Sequence, residues 1–198
     1  GWRKSKAIVV PKERELLRNN DFAQGLSEWV TEQHGNAKAK FEVVDDLPEP
    51  LRGLAKAVRI EVVQPSDTGW HVQFNQRGIP VKAGVTYLLS FWAKAEKPCA
   101  ITVNIQQAGE AYAGLGLWES VRLTTEWRFF RFRFVATMDE ENARLNFTDL
   151  ARQANAYWIA LPSLSVELGE GDVPIGFYHP DYLEAQELGD DPYRYYRW

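Results

Sequence analysis

At 198 residues the chain can bury a real core within one β-domain, and its 27 acidic against 23 basic side chains leave a net charge of −4. That slightly acidic, interspersed charge argues against nucleic acid as a partner, which needs a basic face. No apolar run approaches the ~18 residues of a membrane-spanning helix, so nothing is expected to cross a membrane. The one cysteine, Cys99, has no internal partner and reads as a small buried hydrophobe.

Residues 1–15 read as a charged N-terminal extension without alternation. Its opening, GWRKSKAIVVPKER, has a basic start but only Ala7 to Val10 as an apolar run, too short for a signal-peptide core. Next comes LLRNNDFAQGLSEW, Leu16 to Trp29. Asn19, Asn20 and Asp21 in succession break a helix, and no Asn-Gly or Asp-Gly pair marks a tight hairpin. A short extended segment ending in a polar elbow remains, with side chains and carbonyls able to bind backbone amides or a cation. Phe22 and Trp29 fasten that elbow to the core.

From there period-two alternation dominates. KAVRIEVV, Lys56 to Val63, turns Val58, Ile60 and Val62 inward; WHVQFNQ, from Trp70, does the same with Val72 and Phe74. TYLLSFWAKA, from Thr86, separates Leu89, Phe91 and Ala93 from Ser90, Trp92 and Lys94. AITVNIQQ, from Ala100, sets Val103 and Ile105 against Thr102, Asn104 and Gln106. WRFFRFRFVA, from Trp127, alternates Phe130, Phe132 and Phe134 with Phe129, Arg131 and Arg133. RLNFTDL, from Arg144, and YWIALPSLSVEL, ending at Leu168, complete the set. With turn signals between the runs and no βαβ rhythm, the pattern predicts an all-β, jelly-roll β-sandwich of two antiparallel sheets over residues 16–168. Residues 169–198, aromatic and acidic without pattern, read as a linker or contact segment to a neighbouring module. Trp29 and Trp127 are expected in the core.

Catalysis has little support. The carboxylates are scattered, without a convergent pair of the kind glycoside hydrolysis needs. His34, His71 and His179 lack metal-ligand spacing, no G-x-S-x-G occurs, and the glycines at 114 and 116 precede no helix. The chain is expected not to be an enzyme.

The opening N-x-D-F-x-x-G-x-x-x-W, the run G-x-x-Y-x-L-S-F-W-A-K from Gly84, the run L-T-x-x-W-x-x-F from Leu123, then ARLNF and YWIALPSLS, occur in one order. In that order they resemble the β-sandwich carbohydrate-binding modules of the family four, nine and twenty-two group. The resemblance covers about Leu16 to Leu168. It implies a polysaccharide-binding accessory module, of the β-glucan or xylan class, serving a glycoside hydrolase or polysaccharide lyase on the same chain. It also implies a monomer at the cell surface or secreted, with the signal outside this sequence. By the same resemblance Asn20, Asp21 and Glu61 are candidate ligands for a structural calcium. The family's last strand usually carries an acidic pair where this chain has Ala160 and Leu161, so turn capping stands as the alternative.

Polysaccharide recognition needs aromatic faces against the apolar side of pyranose rings, and amides to pair with hydroxyls. The polar sides of three predicted strands supply Gln73 and Asn75, Asn104 and Gln106, and Asn146. Trp70, Trp92, Tyr112 and Trp118 are the candidate platforms. A second function class, a bracing domain that has lost sugar binding, is also compatible with the fold.

Overall fold

The computed structural model describes residues 15–109 and 111–167; the extension expected before Glu15 and the segment expected from 169 lie outside the described residues. Ten strands follow in order: β1 Val30–Gln33, β2 Lys38–Val44, β3 Ala57–Gln64, β4 Val72–Val81, β5 Thr86–Ala95, β6 Cys99–Gln107, β7 Gly114–Leu123, β8 Arg128–Val135, β9 Glu140–Thr148 and β10 Asn155–Val166. They make two five-stranded sheets, ordered β1-β4-β9-β6-β7 and β2-β3-β10-β5-β8. Among the described residues the strands of both sheets pair antiparallel. The predicted β-sandwich is therefore what the chain forms.

Alternation explains the core. Val58, Ile60 and Val62 of one sheet, with Leu89, Phe91 and Ala93, face Val72, Phe74, Val103, Ile105, Leu145 and Phe147 of the other. Phe91 and Phe147 meet edge to face across the sandwich, with ring centroids 5.1 Å apart. Burying each such ring contributes about 1.5–3 kcal/mol. Phe130 and Phe132 cover Phe91 at 5.3 and 6.3 Å, as their spacing predicts.

The opening elbow is tied down by its asparagines. Asn19 Nδ2 donates to the Gly25 and Ser27 carbonyls, and its Oδ1 accepts from Gln24 N. Asn20 Nδ2 reaches the Pro162 carbonyl, and Asp21 Oδ1 accepts from Ala23 N. Phe22 and Trp29 are buried, as expected; Trp29 stacks on Phe74 at 4.8 Å and donates Nε1 to the Asn19 carbonyl. Trp127 departs from expectation: it joins a second, smaller apolar cluster around Leu47, Leu51, Ala57 and Ala160, with Trp92 and Phe129.

Candidate functional site

The outward face of the β1-β4-β9-β6-β7 sheet carries most of the candidate residues. On β9 the inward Ala143, Leu145 and Phe147 alternate with Arg144, Asn146 and Thr148. On β6 the inward Ile101, Val103 and Ile105 alternate with Thr102, Asn104 and Gln106. Register then aligns Asn75, Asn146, Asn104 and Trp118 in one row across four strands. The three amides of the row face away from the core yet are almost dry: Asn75 and Asn146 are 0% exposed and Asn104 is 1%. The face is a trough rather than an open sheet.

That trough is a cleft of about 420 Å³, lined by Trp70, Gln73, Asn104, Gln106, Tyr112, Trp118 and Asn146 of the predicted set. A volume of this size suits a small ligand. The three aromatics keep 46–63% of their surface exposed above the buried floor. Thr148, which shares the polar side of its strand with Asn146, lines it too, as do Glu32, His34, Arg144 and Asp149, which sequence reasoning did not single out for the site. Arg144 was legible in principle, because it shares the parity of Asn146 on one strand. Glu32 was not, because its strand spans only Val30–Gln33.

Arg144 organises the floor. Its Nε and Nη2 donate to Gln106 Oε1 at 3.1 and 2.9 Å, and Nη1 lies 3.2 Å from Glu32 Oε2. Burial lowers the guanidinium pKa, opposed by the Glu32 charge. Gln106 passes the order on, donating Nε2 to the Tyr112 carbonyl at 3.0 Å. Asn146 Nδ2 donates to Gln73 Oε1 at 2.6 Å. Six buried side-chain polar atoms have no hydrogen-bond partner among the described residues, and four of them belong to this face: both polar atoms of Asn104, Asn146 Oδ1 and Thr148 Oγ1. Unmade hydrogen bonds at buried groups cost about 1–3 kcal/mol each, so such a cluster facing a cleft has the chemistry to receive hydroxyl groups.

Two predicted residues lie elsewhere. Asn75 sits beneath the cleft wall, where its Nδ2 donates to Glu32 and its Oδ1 accepts from Arg77. Its amide engages Glu32, and Asn75 is not one of the residues that line the cleft. Trp92 is on β5, in the opposite sheet, and packs against Phe129 with centroids 5.4 Å apart. Its parity points it outward, but outward from the wrong sheet. The carboxylates that line the cleft are both engaged: Glu32 by Arg144, and Asp149 by Arg152 at 3.4 Å and Thr102 at 2.6 Å.

The residues suggested for calcium do not assemble. Asp21 offers its carbonyl to Lys56 N at 2.9 Å. Glu61 lies five residues further along the chain, roughly 16 Å at the strand rise, and pairs with Arg59 at 3.6 Å. Ala160, where an acidic residue would close the site, is buried against Leu47, Leu51 and Ala57. No group of three or more His, Cys, Asp or Glu able to hold a metal occurs among the described residues. The donor set does not fit the hard, oxygen-rich shell calcium takes.

The model of a family described as carbohydrate binding domain matches residues 14–149. A cellulose 1,4-beta-cellobiosidase of Acetivibrio thermocellus is 35% identical over 99 residues, half of this chain but 11% of that enzyme. Among solved structures, one described as "CBM4 structure and function" is similar with a TM-score of 0.63 at 24% identity. That likeness covers 76% of this chain and 99% of the other. The second N-terminal cellulose-binding domain of a Cellulomonas fimi β-1,4-glucanase C gives 0.59 at 20% identity, covering 81% and 99%. At these identities the structural likeness is one of fold.

Proposed function

The chain belongs to the carbohydrate-binding domain family, and from that premise we propose that its trough holds a β-linked glucan or xylan and brings an attached catalytic domain to it. The chain itself is a non-catalytic polysaccharide-binding module. The observation that carries the ligand reading is the dry row of amides, with both polar atoms of Asn104 unpartnered, beneath three exposed aromatics. Pyranose rings present apolar faces to Trp70, Tyr112 or Trp118 and hydroxyls to the amides. Glu32 is neutralised by Arg144 and Asp149 by Arg152, which suits an uncharged ligand. The cellobiosidase relative supports the glucan side of the proposal and the presence of an enzyme on the same chain. Secretion or display at the cell surface follows from a polymer that stays outside cells. The calcium expected from the family pattern forms no part of this reading.

Affinity gel electrophoresis against soluble β-glucans, xylan and mannan tests it. Retardation on a β-glucan or xylan, with no reducing ends released, is the expected result. Unretarded migration on the whole panel would overturn it and leave a bracing role for the domain.

A further inference from the structure

A second cavity of about 510 Å³ lies beside the trough, lined in part by Ala100, Thr102, Ser120, Asp149 and Arg152. The two are contiguous. Asp149 lines both, and Thr102 of the second is the cross-strand partner of Thr148 in the first. The outward parity of β6 runs Gln106, Asn104, Thr102, Ala100, so one strand face floors the trough and then the second cavity. That strip is roughly 20 Å long at the strand rise. The neighbouring strand changes from Trp118 to Ser120 over the same step, and small side chains leave the floor open.

The corner between the cavities is built rather than incidental. Asp149 holds a left-handed backbone, φ 61°. Its carboxylate accepts from Thr102 and pairs with Arg152. Gly69 packs so closely that an added Cβ would stand 2.4 Å from Asp149 Oδ1. Ser66 N and Ala151 N bond to the Ala151 and Gly69 carbonyls across the two loops, at 2.9 and 3.1 Å. A residue kept in a sparsely populated conformation by such a network points to a site.

We propose that the second cavity is a further sugar subsite, taking a pyranose unit that continues from the one bound in the trough. This rests on the function proposed above. The chemistry is that of a neutral sugar: Asp149 and Arg152 offer an acceptor and donors while balancing each other's charge. The unit comes either from the next position of the backbone or from a side branch.

Calorimetric titration of the chain with cellotriose, cellohexaose and a xyloglucan heptasaccharide tests the subsite. Ala100 is exposed, so Ala100→Phe fills the cavity without entering the core. It should leave cellotriose binding unchanged and weaken one of the larger ligands about tenfold. Loss for cellohexaose assigns a backbone unit, and loss for the heptasaccharide alone assigns a branch. Arg152→Ala, also exposed, should weaken the same ligand about threefold and serves if Ala100→Phe does not fold. Wild-type affinity for all three ligands in the folded variants overturns the subsite and leaves the trough intact. A chain that binds none of the three even as wild type removes the glucan reading, and the subsite with it.

Discussion

Arg144 sets its guanidinium carbon 4.9 Å from the centroid of the Tyr112 ring while gripping Gln106, whose amide holds the Tyr112 carbonyl. The ring is thus fixed both from its face and through its backbone. Tyr112→Ala should weaken polysaccharide binding ten- to hundredfold, about 1–3 kcal/mol, with the melting temperature unchanged. Arg144→Met should lose comparable affinity and also about 1–3 kcal/mol of stability, because Glu32 and Gln106 lose a buried partner. Titration calorimetry alongside denaturant melts separates the two. Wild-type affinity in folded Tyr112→Ala would place the platform elsewhere.

Asn104 should behave in the opposite sense to a structural asparagine. Its amide makes no hydrogen bond to the described protein, so Asn104→Ala removes a desolvation cost and should not lower the melting temperature. Affinity should drop about tenfold, since a sugar hydroxyl loses its partner. A destabilised variant with wild-type affinity would make Asn104 a structural residue.

Metal removal should do nothing. A ligand bound only to the native state raises stability by mass action, and Asn20, Asp21 and Glu61 do not converge on one point among the described residues. Melting curves in excess chelator should overlay those in calcium. Ala160→Asp, which buries a carboxylate among Leu47, Leu51 and Ala57, should cost about 3 kcal/mol or more. A chelator-induced fall of several degrees would show that the corner holds a cation after all.

Glu15 gives the domain a pH dependence. Burial pushes its carboxyl pKa up to about 7, against the opposing hydrogen bonds from Ser163, Leu164, Leu17 and Asn20. The folded value lies above the unfolded 4.5, so between those values the native state binds more protons. Stability contributed by Glu15 is therefore complete below about 4.5 and lost as pH rises through 7. Denaturant titrations should show a decline of a few kcal/mol at most over that window. Glu15→Gln should flatten it. An unchanged slope in the variant would assign the decline to other groups.

How much was readable follows from where each residue sits. The central strands declare themselves by alternation, as Val103 and Ile105 do against Asn104 and Gln106. The strands missed in the sequence, β1, β2 and β7, all lie at sheet edges. Edge strands are kept short or charged, which dilutes the period, though Ala39, Phe41 and Val43 of β2 do alternate with Lys38, Lys40 and Glu42. The amides were found because polar parity is local. Trp92 was misplaced because parity says in or out but not which sheet, and that is decided by pairings between distant segments such as Trp92 with Ala160. Glu32 and Asp149 required the folded geometry, since 117 positions separate them in the chain.

The last strand occupies the middle of its sheet. β10 pairs with β3 on one side and β5 on the other, and beyond its bulge Ser165 bridges back to Glu15. During synthesis, then, four strands of that sheet emerge before the one that joins them. The domain cannot close until the twelve residues of β10 leave the ribosome, and β3 and β5 each wait with an open edge. Pairings this distant also make folding slow for the size of the domain. A nascent chain stalled before Asn155 should be digested readily by protease, and one released past Glu167 should resist it.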